Sequence, residues 1–420
     1  MKICSSINEF FAPIKSNMTV FVHAQAATPI TLLKALVLEA PRLKNVELIH
    51  LHTEGTAPYA KPELKESFHV TNLFVGKNLR GKIDYDQIDY LPCFLSEIPK
   101  LFRKKIKKIN VAFIHVSPPD QHGYVSLGVS VDIAKAAVDC ADVVVAQINS
   151  FMPKVHGGGL IHISKIHHAF ELNEEIYSPQ KKPLTEVELQ IGKNVAGLVE
   201  DGATLQLGIG AIPDAVCYYL KNHKHLGLHS EMWSDGAFEL IKSGVIDNSK
   251  KKIHQGKTTS SFIIGSKELY KFAHDNMSVL NYESDYVNTP FNVIRNPKVT
   301  AINSAVEIDL TGQVCADSIG KRIISGVGGQ MDFLRAAALS EDGKPILAMP
   351  SVTGAGLSRI VSQLKPGAGV VTTRSHVHYV VTEYGAVNLF GKTLHERASE
   401  LIKIAHPMHR EQLQKEWKLF

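Results

Sequence analysis

The chain has 420 residues, 44% of them hydrophobic and 21% charged, which supplies large cores and excludes a disordered or fibrous protein. Lys and Arg number 46 against 41 Asp and Glu, and an excess of +5 is too thin for a nucleic-acid binder, so the basic runs at 103–108 and 250–252 read as solvated faces. Five cysteines without a CxxC exclude a zinc knuckle or a disulfide scaffold, and no apolar leader or membrane-length run is found; a soluble, cytoplasmic protein with no nucleic-acid or membrane partner is expected.

Short β-branched runs alternate with helical patterns along the chain. Thr19–Val22 reads as a strand. Pro29–Ala40 reads as a helix, with Thr28 as its N-cap and Pro29 at the first helical position. Strands follow at Val46–Leu51, Val111–Val116 and Val143–Gln147, with a helix over Ile133–Cys140. This alternation predicts α/β architecture with parallel sheets. Residues 177–183, with two prolines and two lysines, read as a linker. The expected domains are therefore 1–184 and 185–420, the second opening on a helix over Glu186–Val199.

Three segments in the second half carry chemistry. Ala203–Leu207, Gly208 to Ile212 and the run from Pro213 to Leu220 read as strand, glycine turn and helix, with Gly227 as the helix's C′ residue. A glycine turn lets backbone N–H groups approach a ligand, and a helix N-terminus favours an anion. The dinucleotide fingerprint fails here, because Pro213 stands where a third glycine belongs. Leu228–Met232 reads as a strand, so Glu231 sits near a strand's carboxyl end, where open α/β sheets bind ligands. Ser325-Gly326-Val-Gly328-Gly329-Gln330 is another glycine turn opening into a helix, of the kind that aims N–H groups at an oxyanion.

Other motifs fail their tests. Gly385 to Thr393 has five residues between glycines where a phosphate loop needs four. His156-Gly-Gly-Gly159 imitates a lipase oxyanion loop, but no G-x-S-x-G elbow accompanies it. His376-x-His378 lacks a third ligand at a diagnostic spacing, so no metal site is expected.

Taken together, Gly208-Ile-Gly-Ala-Ile-Pro213, His229-Ser-Glu231-Met, Ser325-Gly-Val-Gly-Gly-Gln330 and Val380-Val-Thr-Glu-Tyr-Gly385 resemble the acetyl-CoA hydrolase/transferase family, within the family I CoA-transferases. Ala57-Pro-Tyr59, Ser117-Pro-Pro-Asp-Gln-His-Gly-Tyr124 and Ala405-His-Pro407 extend the resemblance over nearly the whole chain. It implies two open α/β domains of the NagB/RpiA/CoA-transferase-like type with the active site between them. It implies that Glu231 is the catalytic glutamate. Gly208, Ile209, Gly210, Ala211 and Ile212 would bind CoA, and Asn303, Gly326, Gly328 and Gly329 would add to the CoA and oxyanion site.

The implied reaction moves CoA between a short-chain acyl-CoA and a carboxylate such as acetate, in two half-reactions through a glutamyl-CoA thioester. A hydrolase using the same glutamate is the alternative. CoA enters as substrate, no tightly bound cofactor is expected, and the expected assembly is a homo-oligomer, a dimer first.

Overall fold

The structure, a computed structural model, describes residues 1–419. By internal contacts the chain divides into two units. The first comprises 1–179, 259–287 and 323–326; the second comprises 180–258, 288–322 and 327–420. The first unit thus stops five residues short of the expected boundary at 184 and recovers two later segments that the sequence reading assigned to the second domain.

The first unit is built on an eight-stranded sheet. Its order is Lys2–Ile3, His168–Glu171, Val143–Ile148, Val111–Val116, Thr19–Val22, Val46–His50, Phe68–Asn72 and Ile88–Tyr90, and every neighbouring pair is parallel. A parallel sheet is covered on both faces, so its central strands are mostly apolar runs. Val111–Val116 is buried at every residue. Its side chains divide by pleat: Val111 and Phe113 join a core with Phe10, Phe11 and Leu32, while Ala112, Ile114 and Val116 join one with Phe102, Ile133 and Val138. Of the later segments, 259–287 is held by Val131 N–H donating to Ser261 O, and by Ser284 Oγ donating to Leu95 O. Arg103 forms ion pairs with Glu283 and Asp285 on the same segment.

The second unit carries a six-stranded sheet in the order Gly227–Leu228, Thr204–Gln206, Thr300–Asn303, Lys344–Ala348, Tyr379–Thr382 and Gly385–Asn388. All neighbours are parallel except the last pair, an antiparallel hairpin. Its first helix, Glu186–Ala196, starts at a capping box in which Thr185 and Glu188 satisfy each other's backbone N–H groups. That helix packs against Ala211–Tyr219 so closely that a Cβ on Gly192 would lie 2.6 Å from the Ala215 carbonyl carbon.

Several local expectations are corrected. Thr28 is not an N-cap: the helix Ile30–Leu36 follows Pro29, and the Thr28 hydroxyl instead donates to Gln25 O and accepts from Glu54 N–H. That helix ends at Leu36 and tightens into a 3₁₀ turn over Val37–Arg42, where Pro41 cannot supply an N–H. Gly227 is not a helix terminator; the helix Ala211–Tyr219 ends earlier, and Gly227 begins a strand. Leu228–Met232 is not one strand but two short ones, Gly227–Leu228 and Met232–Trp233, with Glu231 between them. Finally, Lys251 is not on a solvated face. It is 1% exposed, and a Cβ on Gly227 would lie 2.8 Å from its stem.

Candidate active site

The second sheet reverses its strand order at one point. After Thr204–Gln206 the chain steps to one side for Gly227–Leu228, then returns to the other side for Thr300–Asn303. In open α/β sheets such a reversal leaves a crevice at the strands' carboxyl ends. Here those ends are Gln206 and Asn303. Their carboxamides face each other: Asn303 Nδ2 donates to Gln206 Oε1 at 2.8 Å, and the return contact is 3.5 Å.

The glycine turn opens immediately after Gln206. Gly210 has φ 118° and ψ −177°, and it precedes the first residue of the helix Ala211–Tyr219. No atom lies within 4 Å of where its Cβ would be, so the backbone there is open to a close approach. Ile209 presents an exposed apolar side chain beside it. Asp214, in the helix's first turn, has its carboxyl pushed above the usual range by burial, although Ser234 Oγ donates to it at 3.4 Å.

Glu231 is half-buried and held from several directions. Asn288 Nδ2 donates to Glu231 Oε2 at 2.9 Å, and Asn288 is itself fully buried. Gly329 closes on the same carboxylate: a Cβ there would lie 2.0 Å from Glu231 Oε2 and 2.2 Å from Asn288 Nδ2. Only glycine leaves room for both groups. Its neighbour Gly328 takes φ 57°, a left-handed conformation that a β-branched residue adopts at a cost. The backbone beside Glu231 is tied as well. Ser230 Oγ bonds both backbone polar groups of Leu207, and Met232 forms a bridge with Leu207. Further back, Lys251 Nζ donates to Leu228 O at 2.9 Å and to Lys257 O at 2.6 Å, with burial lowering its pKa to about 7.

The structure therefore brings together Glu231, Gly328, Gly329 and, through Leu207, the turn at 208–212. Asn303 stands one step away, beside Gln206 at the head of that turn. Gly326 serves a different neighbour: a Cβ there would lie 2.8 Å from the Phe74 ring. Sequence reasoning missed Asn288. Tyr286-Val-Asn288-Thr-Pro290 carries no chemical pattern, and the partner it serves is 57 residues away. It also missed the buried Lys251.

Two family models match the chain: "Acetyl-CoA hydrolase/transferase N-terminal domain" over residues 1–179 and "Acetyl-CoA hydrolase/transferase C-terminal domain" over 265–417. The chain belongs to the acetyl-CoA hydrolase/transferase family. It is 49% identical over 419 residues to the succinyl-CoA:acetate/propanoyl-CoA:succinate CoA transferase of Fasciola hepatica, covering 99% of this chain and 87% of that one. It is 48% identical over 400 residues to the 4-hydroxybutyrate coenzyme A transferase of Clostridium kluyveri, covering 95% and 93%. Among solved structures, RipA from Yersinia pestis superposes with a TM-score of 0.95 at 33% identity, covering 100% of this chain and 97% of that one. The 4-hydroxybutyrate CoA-transferase of Porphyromonas gingivalis superposes at 0.84 and 39%, covering 100% and 97%. The family's fold is thus the one expected from its motifs. Among the described residues no helix is long and apolar enough to cross a membrane.

Proposed function

We propose that Glu231 is the covalent carrier of an acyl-CoA:carboxylate CoA-transferase. The observation that carries this reading is the grip on its carboxylate: Asn288 donates to Oε2, and the Gly329 backbone packs where a side chain would stand. In this reading Asn288 keeps its bond to Oε2 while Oε1 attacks.

Oε1 adds to the thioester carbonyl of acyl-CoA, and the C–S bond breaks, giving an acyl-glutamyl anhydride and CoA thiolate. The thiolate then adds to the Glu231 carbonyl carbon. The anhydride C–O bond breaks, the first acid leaves as a carboxylate, and a glutamyl-CoA thioester remains. A second carboxylate attacks that thioester and expels the thiolate. The thiolate takes the new acyl group from the mixed anhydride, which restores the Glu231 carboxylate. Every bond broken is matched by one of the same kind, so no nucleotide hydrolysis is needed. While Glu231 is the electrophile, Oε2 becomes the developing oxyanion, and the Asn288 N–H already points at it. One such donor is worth ~3–4 kcal/mol of barrier.

The turn at Gly208–Ile212 supports CoA binding, since its N–H groups and the helix behind it suit an anionic group. Gly328 and Asn303 are assigned to the same CoA and oxyanion region. The acids are short, as in the relatives' names: acetate, propionate, succinate, butyrate or 4-hydroxybutyrate. We place the enzyme in the cytoplasm as a homodimer. Hydrolysis is the weaker reading. The acetyl-CoA hydrolase of Saccharomyces cerevisiae is 33% identical over 215 residues only, half of this chain.

The test is direct. Acyl-CoA without an acceptor should add the mass of CoA less one water to the intact protein. Borohydride should reduce that thioester to an alcohol, and peptide mapping should place it at Glu231. An exchange assay from acetyl-CoA to C2–C6 carboxylates then ranks the acids. A wild-type enzyme that transfers CoA with no adduct anywhere on the chain would sink the covalent mechanism.

A further inference from the structure

A single hydroxyl beside Glu231 does an uncommon thing. Ser230 is fully buried, and its Oγ donates to Leu207 O at 2.9 Å while accepting from Leu207 N–H at 3.0 Å. One side chain thus satisfies both polar groups of one backbone residue, as a strand partner would. Met232, on the other side of Glu231, forms a bridge with the same Leu207. Leu207 is the residue directly before Gly208, where the open turn begins.

We propose that Ser230 is a positioning residue that fixes the distance between the Glu231 carboxylate and the glycine turn at 208–212. The proposal rests on the reading of Glu231 as carrier and of that turn as a CoA-binding element. Glu231 has neighbours on both sides strapped to Leu207, so the attacking group and the turn share one anchor. The anchor must be a short hydroxyl-bearing side chain. It needs a donor and an acceptor on one atom, at hydrogen-bonding distance from two backbone groups. Alanine would leave the Leu207 N–H and C=O buried without this partner, and the turn could shift relative to Glu231 while each part kept its own fold. A shift of that kind acts on attack more than on binding, because near-attack geometry is sensitive at the ~1 Å level.

The experiment compares Ser230→Ala, Ser230→Thr and Ser230→Cys with wild type and with Glu231→Ala. Thr keeps the hydroxyl; Cys keeps a weaker donor and acceptor on longer bonds. For Ser230→Ala, kcat and the rate of CoA–enzyme adduct formation should fall ~10–100-fold, with KM for acyl-CoA changed less than about threefold. The ratio of hydrolysis to transfer should rise, since a displaced thioester admits water. Thr should restore the rate and the ratio, and Cys should fall between. A merely structural serine would lower the melting temperature without changing that ratio. If Ser230→Ala does not fold, the Cys variant decides alone: wild-type kcat and partitioning in folded Ser230→Cys would overturn the proposal. So would equal losses in kcat and binding that Thr does not repair. The two readings fail separately. Transfer by Glu231→Ala removes the carrier itself, whereas a dead Glu231→Ala beside normal Ser230 variants removes only this inference.

Discussion

Both sheets reverse their strand order once, and the two reversal points are furnished in opposite ways. In the first unit the reversal lies between Thr19–Val22 and Val111–Val116. There the crevice is filled by buried, mutually bonded neutral groups. His23 Nδ1 accepts from the His115 N–H at 3.1 Å, so its Nε2 carries the proton that goes to Ser130 O. His115 Nδ1 donates to Ala27 O, and its Nε2 accepts from Asn149 Nδ2. In the second unit the equivalent place holds two carboxamides and an open glycine turn, with Glu231 tied alongside. A filled reversal point stabilises; an open one beside a held carboxylate can react. Topology alone does not tell the two apart, and the side chains at the strand ends do.

The comparison breaks first at Glu231. Glu231→Ala should lower kcat on the order of 10⁴-fold or more, because no neighbouring group can become the carrier. The check is steady-state transfer together with intact-protein mass after incubation with acyl-CoA. Next comes Gly329→Ala. Its methyl would occupy the place of Glu231 Oε2, so the carboxylate must move by an ångström or more. About 10²-fold in kcat should be lost, with circular dichroism unchanged. Near-normal turnover in folded Gly329→Ala would show that the held position of the carboxylate is not the reactive one.

How much of this was legible before the structure varies with the range of the interactions involved. The strands at 19–22, 46–50, 111–116 and 143–148 were readable because a parallel sheet buried on both faces demands β-branched runs. Glu231 and the glycine turns stood out because their residue types are chemically specific. Thr28 was misread because its hydroxyl is diverted by Glu54, which a local capping rule cannot see. Gly227 was misread because a glycine after a helix looks like a terminator; it is there to let the stem of Lys251 pass. Asn288, and the return of 259–287 to the first unit, depend on partners far away in sequence, so nothing local could announce them.

A pH experiment tests the filled reversal point. Burial lowers His23 to about 3 and His115 to about 4, and His50 and His52 to about 4 as well. In the unfolded chain these groups titrate near ~6.5. Below that pH the unfolded state binds protons that the folded state refuses, so stability falls as pH falls. The loss runs from about 6.5 down to the folded values, at up to ~1.4 kcal/mol per pH unit for each histidine. Urea unfolding at pH 7 and pH 5 should show the loss, and His23→Asn should reduce the slope by up to one proton. A wild-type stability that is flat between pH 7 and 5 would mean that the network admits protons freely.

The smallest effect is the most discriminating, because it asks whether Asn303 belongs to the reactive point or to a filled one. Its carboxamide is satisfied by Gln206, as the histidines of the first unit are satisfied by their neighbours. Asn303 is nevertheless partly exposed, at the carboxyl end of its strand, and Gln206 leads directly into the glycine turn. Asn303→Ala removes the 2.8 Å hydrogen bond to Gln206 and the longer 3.5 Å return contact, together worth about 1 kcal/mol of stability. If the side chain also touches CoA in both ground and transition states, KM for acyl-CoA should rise several-fold with kcat unchanged, the signature of uniform binding. The measurement is a pair: urea unfolding for the first quantity and initial rates over a range of acyl-CoA for the second. A loss of stability with KM unmoved would place Asn303 with His23 and His115, as a group that fills the crevice. A fall in kcat instead would place it beside the oxyanion, in the company of Asn288.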